Sequence, residues 1–139
     1  PYTPDEQNSI KAIVTKNDLK LELDDEKKII TIQTPAGNKM IFSDEESSIT
    51  IQDQNENKME MSSSGISIKS PSNISIESDM AITIKGSTGV TVESETSATF
   101  KGLSVSVEAE TSLEAKGTAS AQFTSTGQTT IRGTMVMIN

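Results

Sequence analysis

The stretch GISIKSPSNISIESDMAITIKGSTGVTVES, residues 65–94, decides the fold, because it repeats one unit: two apolar residues separated by one, a charge, a small residue, then a polar gap. The same unit continues to the end of the chain. Its apolar pairs are Ile66/Ile68, Ile74/Ile76, Ile82/Ile84, Val90/Val92, Ala98/Phe100, Val105/Val107, Leu113/Ala115, Ala121/Phe123, Thr129/Ile131 and Val136/Ile138, stepping by eight residues except for steps of seven at Val105 and Val136. Repetition at a short fixed period marks a stacked architecture, in which each unit is one strand and one corner that hides its apolar face only against its neighbours. The octads therefore predict a β-helix or β-prism.

Side chains alternate across a strand, so with Ile66 and Ile68 on the inner side, Ser67 and Lys69 lie on the outer side and the chain turns at Ser70. The charged slot then reads Lys69, Glu77, Lys85, Glu93, Lys101, Glu108, Lys116, alternating in sign without a break. Stacked strands lie about 4.8 Å apart, which sets each lysine against a glutamate above and below and penalises a slipped register. The next slot holds only small residues: Ser70, Ser78, Gly86, Ser94, Gly102, Ala109, Gly117, Ser125 and Gly133. A tight corner requires that. A disordered Ser/Thr tract would not hold this phase.

Upstream the pattern changes. Residues 1–9 (PYTPDEQNS) are polar with two prolines and read as a linker or a truncated end; the opening at Pro1-Tyr2 reads as that of a fragment. Residues 5–13 have room for a turn or two of helix, but no apolar stripe continues it, and no other helix is predicted. Over residues 10–64, alternating segments at 19–23, 29–33, 39–42, 48–52 and 58–61 are separated by DDEK, TPAGN, SDEE and DQNEN, with apolar spacing of nine or ten residues. These predict short strands joined by hairpins or wide corners, with Pro35, Gly37 and Asn55 supplying the special backbone angles, as an antiparallel meander or loose prism leading into the octads of residues 65–139.

Composition narrows the function. In 139 residues only 32% are hydrophobic and 3% aromatic, which is thin for a layered globular core but suits a narrow stacked interior of small and β-branched side chains. There are no cysteines and no histidines, so disulfides, thiolate metal sites and the commonest general base are excluded. A net charge of −8 argues against nucleic acid and anionic membrane surfaces as partners. No apolar run is long enough to span a bilayer. The segment Asp53-Gln54-Asn55-Glu56-Asn57 starts like a calcium loop, but Lys58 stands where glycine is needed and Ser64 where the bidentate glutamate is needed. The acidic clusters 24–26 and 44–46 read as solvated turns. No nucleophile elbow or phosphate loop occurs, and no catalytic residue, cofactor or metal ligand is assigned. Serines and threonines between the paired apolar residues could suggest an ice-binding array, but Glu114 and Gln122 interrupt it and every octad projects a charge.

The combination of Leu-Asp-Asp-Glu (23–26), Thr-Pro-Ala-Gly-Asn (34–38), Ser-Asp-Glu-Glu (43–46), Ser-Ser-Gly-Ile (63–66) and the ending Ile-Arg-Gly-Thr-Met-Val-Met-Ile-Asn (131–139) resembles the C-terminal half of a VgrG-type spike, the central spike of type VI secretion and extracellular contractile injection systems. The resemblance covers nearly the whole chain. It implies an all-β, intertwined homotrimeric triangular β-helix, or β-prism, preceded by the short-strand meander. The trimer core would hold Ile66, Ile68, Ile74, Ile76, Ile82, Ile84, Val90, Val92, Phe100, Val105, Val107, Leu113, Phe123 and Ile131. It also implies a conical PAAR-type capping protein on the blunt end formed by Met135, Val136, Met137, Ile138 and Asn139, and an inner tube and baseplate reached through N-terminal domains. The His-bound iron tip of some phage spikes is excluded, since this chain has no histidine. The implied function is a rigid, non-enzymatic rod that perforates a target envelope, assembled in the bacterial cytoplasm and then secreted or delivered into a target cell. The rival reading is a receptor-binding fibre or adhesin stalk, for which the flank offers few aromatic residues.

Overall fold

The computed structural model describes residues 8–138. The protein is all-β: seven strands form one antiparallel sheet in sequence order, and there is no helix among the described residues. The strands are β1 (Ile10–Val14), β2 (Lys20–Asp24), β3 (Ile29–Gln33), β4 (Lys39–Ser43), β5 (Ser48–Gln52), β6 (Lys58–Ser62) and β7 (Gly65–Lys69). β2 to β6 are the alternating segments of the sequence, and the antiparallel arrangement is the one the turn residues favour. Two strands were not among those segments. Ile10–Val14 is a strand where residues 5–13 offered a weak helical alternative, and Gly65–Lys69, the first octad, closes the meander by pairing with β6.

The hairpins between β1 and β6 share one device. In four of them a backbone N–H returns to a carbonyl three residues earlier, as in Gly37 N to Thr34 O at 3.0 Å and Glu56 N to Asp53 O at 3.3 Å, and the donor residue is left-handed. The left-handed residues are Asp18, Gly37, Ser47 and Glu56, with Lys28 in the remaining turn. This is a tight turn followed by a single left-handed residue that restores the strand register. The expectation that Asn55 supplies such an angle is corrected: Glu56 does, and the Asn55 backbone N–H instead donates to Asp53 Oδ1 at 2.8 Å. The Asp53 carboxylate also accepts from the Asn57 backbone and both asparagine side chains, so turn geometry consumes the oxygens that a cation would need.

Register divides the sheet into two unlike faces. Leu21, Ile32, Met40, Ile51, Met59 and Ile68 stand opposite one another in succession, and a second row runs Leu23, Ile30, Phe42, Ile49, Met61, Ile66. By alternation both rows share one face. The other face carries Glu22, Thr31, Ile41, Thr50, Glu60 and Ser67 in its central row, with ion pairs Lys20–Glu22 (2.7 Å) and Lys58–Glu60. Ser67 and Lys69 thus lie opposite in sense to Ile66 and Ile68, as the octad register requires.

Among the described residues no hydrophobic side chain is buried, and the one buried residue is Ser43, whose hydroxyl accepts the Glu46 N–H at 3.0 Å.

Candidate assembly surface

Residues 70–138 contain no strand or helix, but they are periodic: sharp bends fall at 71–72, 79–80, 87–88, 95–96, 103, 110–111, 118–119, 126–127 and 134. Each bend directly follows one of the small residues of the corner slot, from Ser70 to Gly133.

The corners are built in two ways. Where the slot holds serine, its hydroxyl accepts a backbone N–H two residues on: Ser70 from Ser72 (3.1 Å), Ser78 from Met80 (3.2 Å), Ser94 from Thr96 (3.4 Å) and Ser125 from Gly127 (3.1 Å). Such a bond fixes a local turn without any partner strand. Where the slot holds glycine, the backbone itself can occupy the side-chain position. A Cβ on Gly86 would lie 2.1 Å from the Gly89 carbonyl oxygen, and one on Gly117 would lie 2.0 Å from that of Ser120. The small-residue rule of the sequence therefore has two physical causes.

Between corners, the residues assigned to the trimer core are all solvent-exposed in the single chain. Ile66, Ile68, Ile74, Ile76, Ile82, Ile84, Val90, Val92, Phe100, Val105, Val107, Leu113, Phe123 and Ile131 range from 52% exposed at Ile82 to 79% at Phe123. The alternating charges that accompany them, from Lys69 to Lys116, form no ion pair among the described residues; Glu77 accepts only the Ser75 hydroxyl, at 2.9 Å. At the end of the chain Met135, Val136, Met137 and Ile138 are exposed as well. Asn139, the last of the assigned docking residues, lies outside the described residues.

The first octad is tied to the meander at its corner. The Ser70 hydroxyl donates to Asn57 Oδ1 at 2.6 Å, while Asn38 Oδ1 in the β3–β4 turn accepts the Gln54 N–H at 3.0 Å. Three neighbouring turns are thereby linked at one end of the strands. Sequence reasoning singled out TPAGN and DQNEN as turns but not this linkage; the available signal was an asparagine at the end of each. Beside these turns the apolar face forms an open concavity of about 640 Å³ lined by Ile32, Met40, Ile51, Met59, Ile68 and Ile74.

Among the described residues, no group of three or more acidic side chains is placed to hold a metal ion. Asp53 has its carboxyl pKa lowered, chiefly by the Asn57 side chain and further by backbone N–H donors, and a carboxylate held that way is a turn anchor rather than a base. No helix is long and apolar enough to cross a membrane among the described residues. No family model matches the chain, and no curated protein matches it.

Proposed function

We propose that the chain is a non-enzymatic structural rod, the spike of a bacterial contractile injection machine, in which three copies wind into a triangular prism and carry axial force to a capping tip that perforates an envelope. The supporting observation is a chain with a regular corner every seven or eight residues and an apolar residue pair between corners, none of it buried by the chain itself. Apolar surface on this scale, set out at the spacing of a strand stack, calls for strands from other copies.

In a threefold stack each octad rises one strand spacing, so the Lys/Glu series, unpaired within one chain, meets opposite charges from its neighbours. Stiffness follows from a continuous ladder whose register cannot slip without exchanging apolar for polar faces. The meander hides its apolar rows in the same way, against two further sheets.

The exposed Met135, Val136, Met137 and Ile138 fit a docking face for a PAAR-type cap, since methionine adapts its shape to a partner. The inner tube and baseplate would be reached through N-terminal domains, and the rod would be assembled in the cytoplasm before delivery. Removal of residues 135–139 tests this. The shortened chain is expected to assemble as before and to lose capture of a PAAR-type protein. Retained capture would contradict a cap seated on this end.

A further inference from the structure

Each charged octad slot from Lys69 to Lys116 has an opposite charge in an adjacent slot; Arg132 has none. Continued past Lys116, the alternation would put a negative charge at 124, a positive one at 132 and a negative one at 139, whereas the chain has Thr124, Arg132 and Asn139. Arg132 keeps the phase of the series, but both neighbouring slots are neutral, so in a stack it meets no carboxylate above or below. It is also the only charged side chain in residues 117–139, a positive one in a chain of net charge −8.

The structure leaves that charge open. Arg132 is exposed and has no hydrogen-bond or ion-pair partner among the described residues. At Gly133 the chain turns sharply, a Cβ there lying 3.1 Å from the Met135 carbonyl oxygen, so the arginine stands at the corner that opens the exposed apolar run Met135 to Ile138. The octad register puts it on the outward side, like Lys101 and Lys116. In a stack the final octad rises one strand spacing above it, about 4.8 Å, a step that an arginine side chain spans. The guanidinium therefore reaches the rim of the apolar end.

Residue type points the same way. Every other cationic side chain of this protein is a lysine, and a lysine suffices where one charge meets another along the stack. A guanidinium is a planar fork that takes a carboxylate through two parallel hydrogen bonds and is more weakly hydrated than an ammonium, which suits it to an interface.

We propose that Arg132 is a recognition residue of the apolar end, taking a carboxylate on the rim of the protein that caps the rod. The inference rests on the capping reading above and adds the chemistry of the partner, an apolar docking face bordered by Asp or Glu side chains. Methionine and isoleucine supply contact area without direction, and a charged fork beside them fixes how the partner sits. An anionic lipid surface is the weaker occupant, because the acidic remainder of the chain repels it.

The test compares capture of a purified PAAR-repeat protein by the assembled wild-type rod and three variants, at low and high salt. Arg132→Gln is expected to assemble normally, to weaken capture about tenfold at low salt and to flatten its salt dependence. Arg132→Lys keeps the charge without the fork, so it should keep the salt dependence and lose about threefold. Thr124→Glu leaves Arg132 in place and supplies the missing carboxylate from the adjacent slot; it should weaken capture by about threefold or more while the rod stays as heat-stable as wild type. A residue that only stabilised the last octads would give the reverse, a lower thermal stability in Arg132→Gln with capture unchanged, and would overturn the proposal. Wild-type capture by both Arg132→Gln and Thr124→Glu would overturn it too, leaving the capping reading intact. Arg132-dependent binding to phosphatidylglycerol vesicles, with no effect on capture, would overturn it in favour of a lipid surface. Capture that survives removal of residues 135–139 would overturn the capping reading itself.

Discussion

The hydroxyl of Ser70 donates to the side-chain oxygen of Asn57, thirteen residues earlier, at 2.6 Å. One side chain thus joins the β5–β6 turn to the first octad corner, and the same Ser70 oxygen accepts the Ser72 N–H that shapes that corner. A single side chain thus serves both the last hairpin turn of the meander and the first corner of the periodic chain, beside the β6–β7 pairing. Ser70→Ala is expected to lower stability by about 1 kcal/mol, and Asn57→Ala by more, because it also releases Asp53. The double variant should cost less than the sum, since the two share one bond. Denaturant unfolding of the assembled protein measures all three.

The two kinds of corner respond differently to alanine. Gly86→Ala sets a methyl group against the Gly89 carbonyl oxygen and is expected to cost roughly 1–3 kcal/mol, because backbone must move. Ser94→Ala removes bonds to the Thr96 and Ser97 N–H groups but adds no bulk, so about 1 kcal/mol is expected. Ala109 already occupies one corner slot. Thermal unfolding of the two variants should rank them in that order.

Asp53 gives the meander an acid-sensitive turn. Its folded pKa is depressed by the Asn57 and Asn55 donors, so its contribution is present above the unfolded carboxylate value of about 3.9 and is lost as the pH falls through the lower folded value. In Asp53→Asn that part of the pH dependence should vanish, leaving a shallower loss of stability below about pH 4. Stability profiles of the two proteins over that range make the comparison.

Inward and outward octad positions should separate sharply. Ile84→Asp or Val92→Asp would place several copies of one charge in a narrow dry interior, where none has a partner, and should prevent assembly. Ser67→Asp lies opposite Glu60 on the polar face and should be tolerated with a small loss. Resistance of the assembly to heat and detergent distinguishes them; equal behaviour would place the octad register one residue off.

Much of the meander is legible in the sequence because its information is local. Alternation in segments such as Ile29–Gln33 and Ser48–Gln52, with a turn-forming cluster on either side, defines both the strand and its faces. β1 escapes this reading because it is an edge strand with Lys11 on the apolar face, so IKAIV lacks clean alternation; it is held by pairing with β2 and by the Lys11–Asp25 ion pair. Left-handed angles at Lys28 and Glu56 are likewise set by hairpin closure and not by residue preference. The octad corners are legible because a small residue and a bend are local events. The partners of Ile74, Val92 or Phe123 are not, since all three side chains stay exposed among the described residues.

The central claim is that copies of this chain bury its apolar rows together, and the mass of the particle in solution tests it most directly. Sedimentation equilibrium combined with small-angle scattering is expected to give three times the 14.9 kDa chain mass, with the ten octads extending along an axis for about 45–50 Å. A compact particle of single-chain mass across the accessible concentration range would contradict the account.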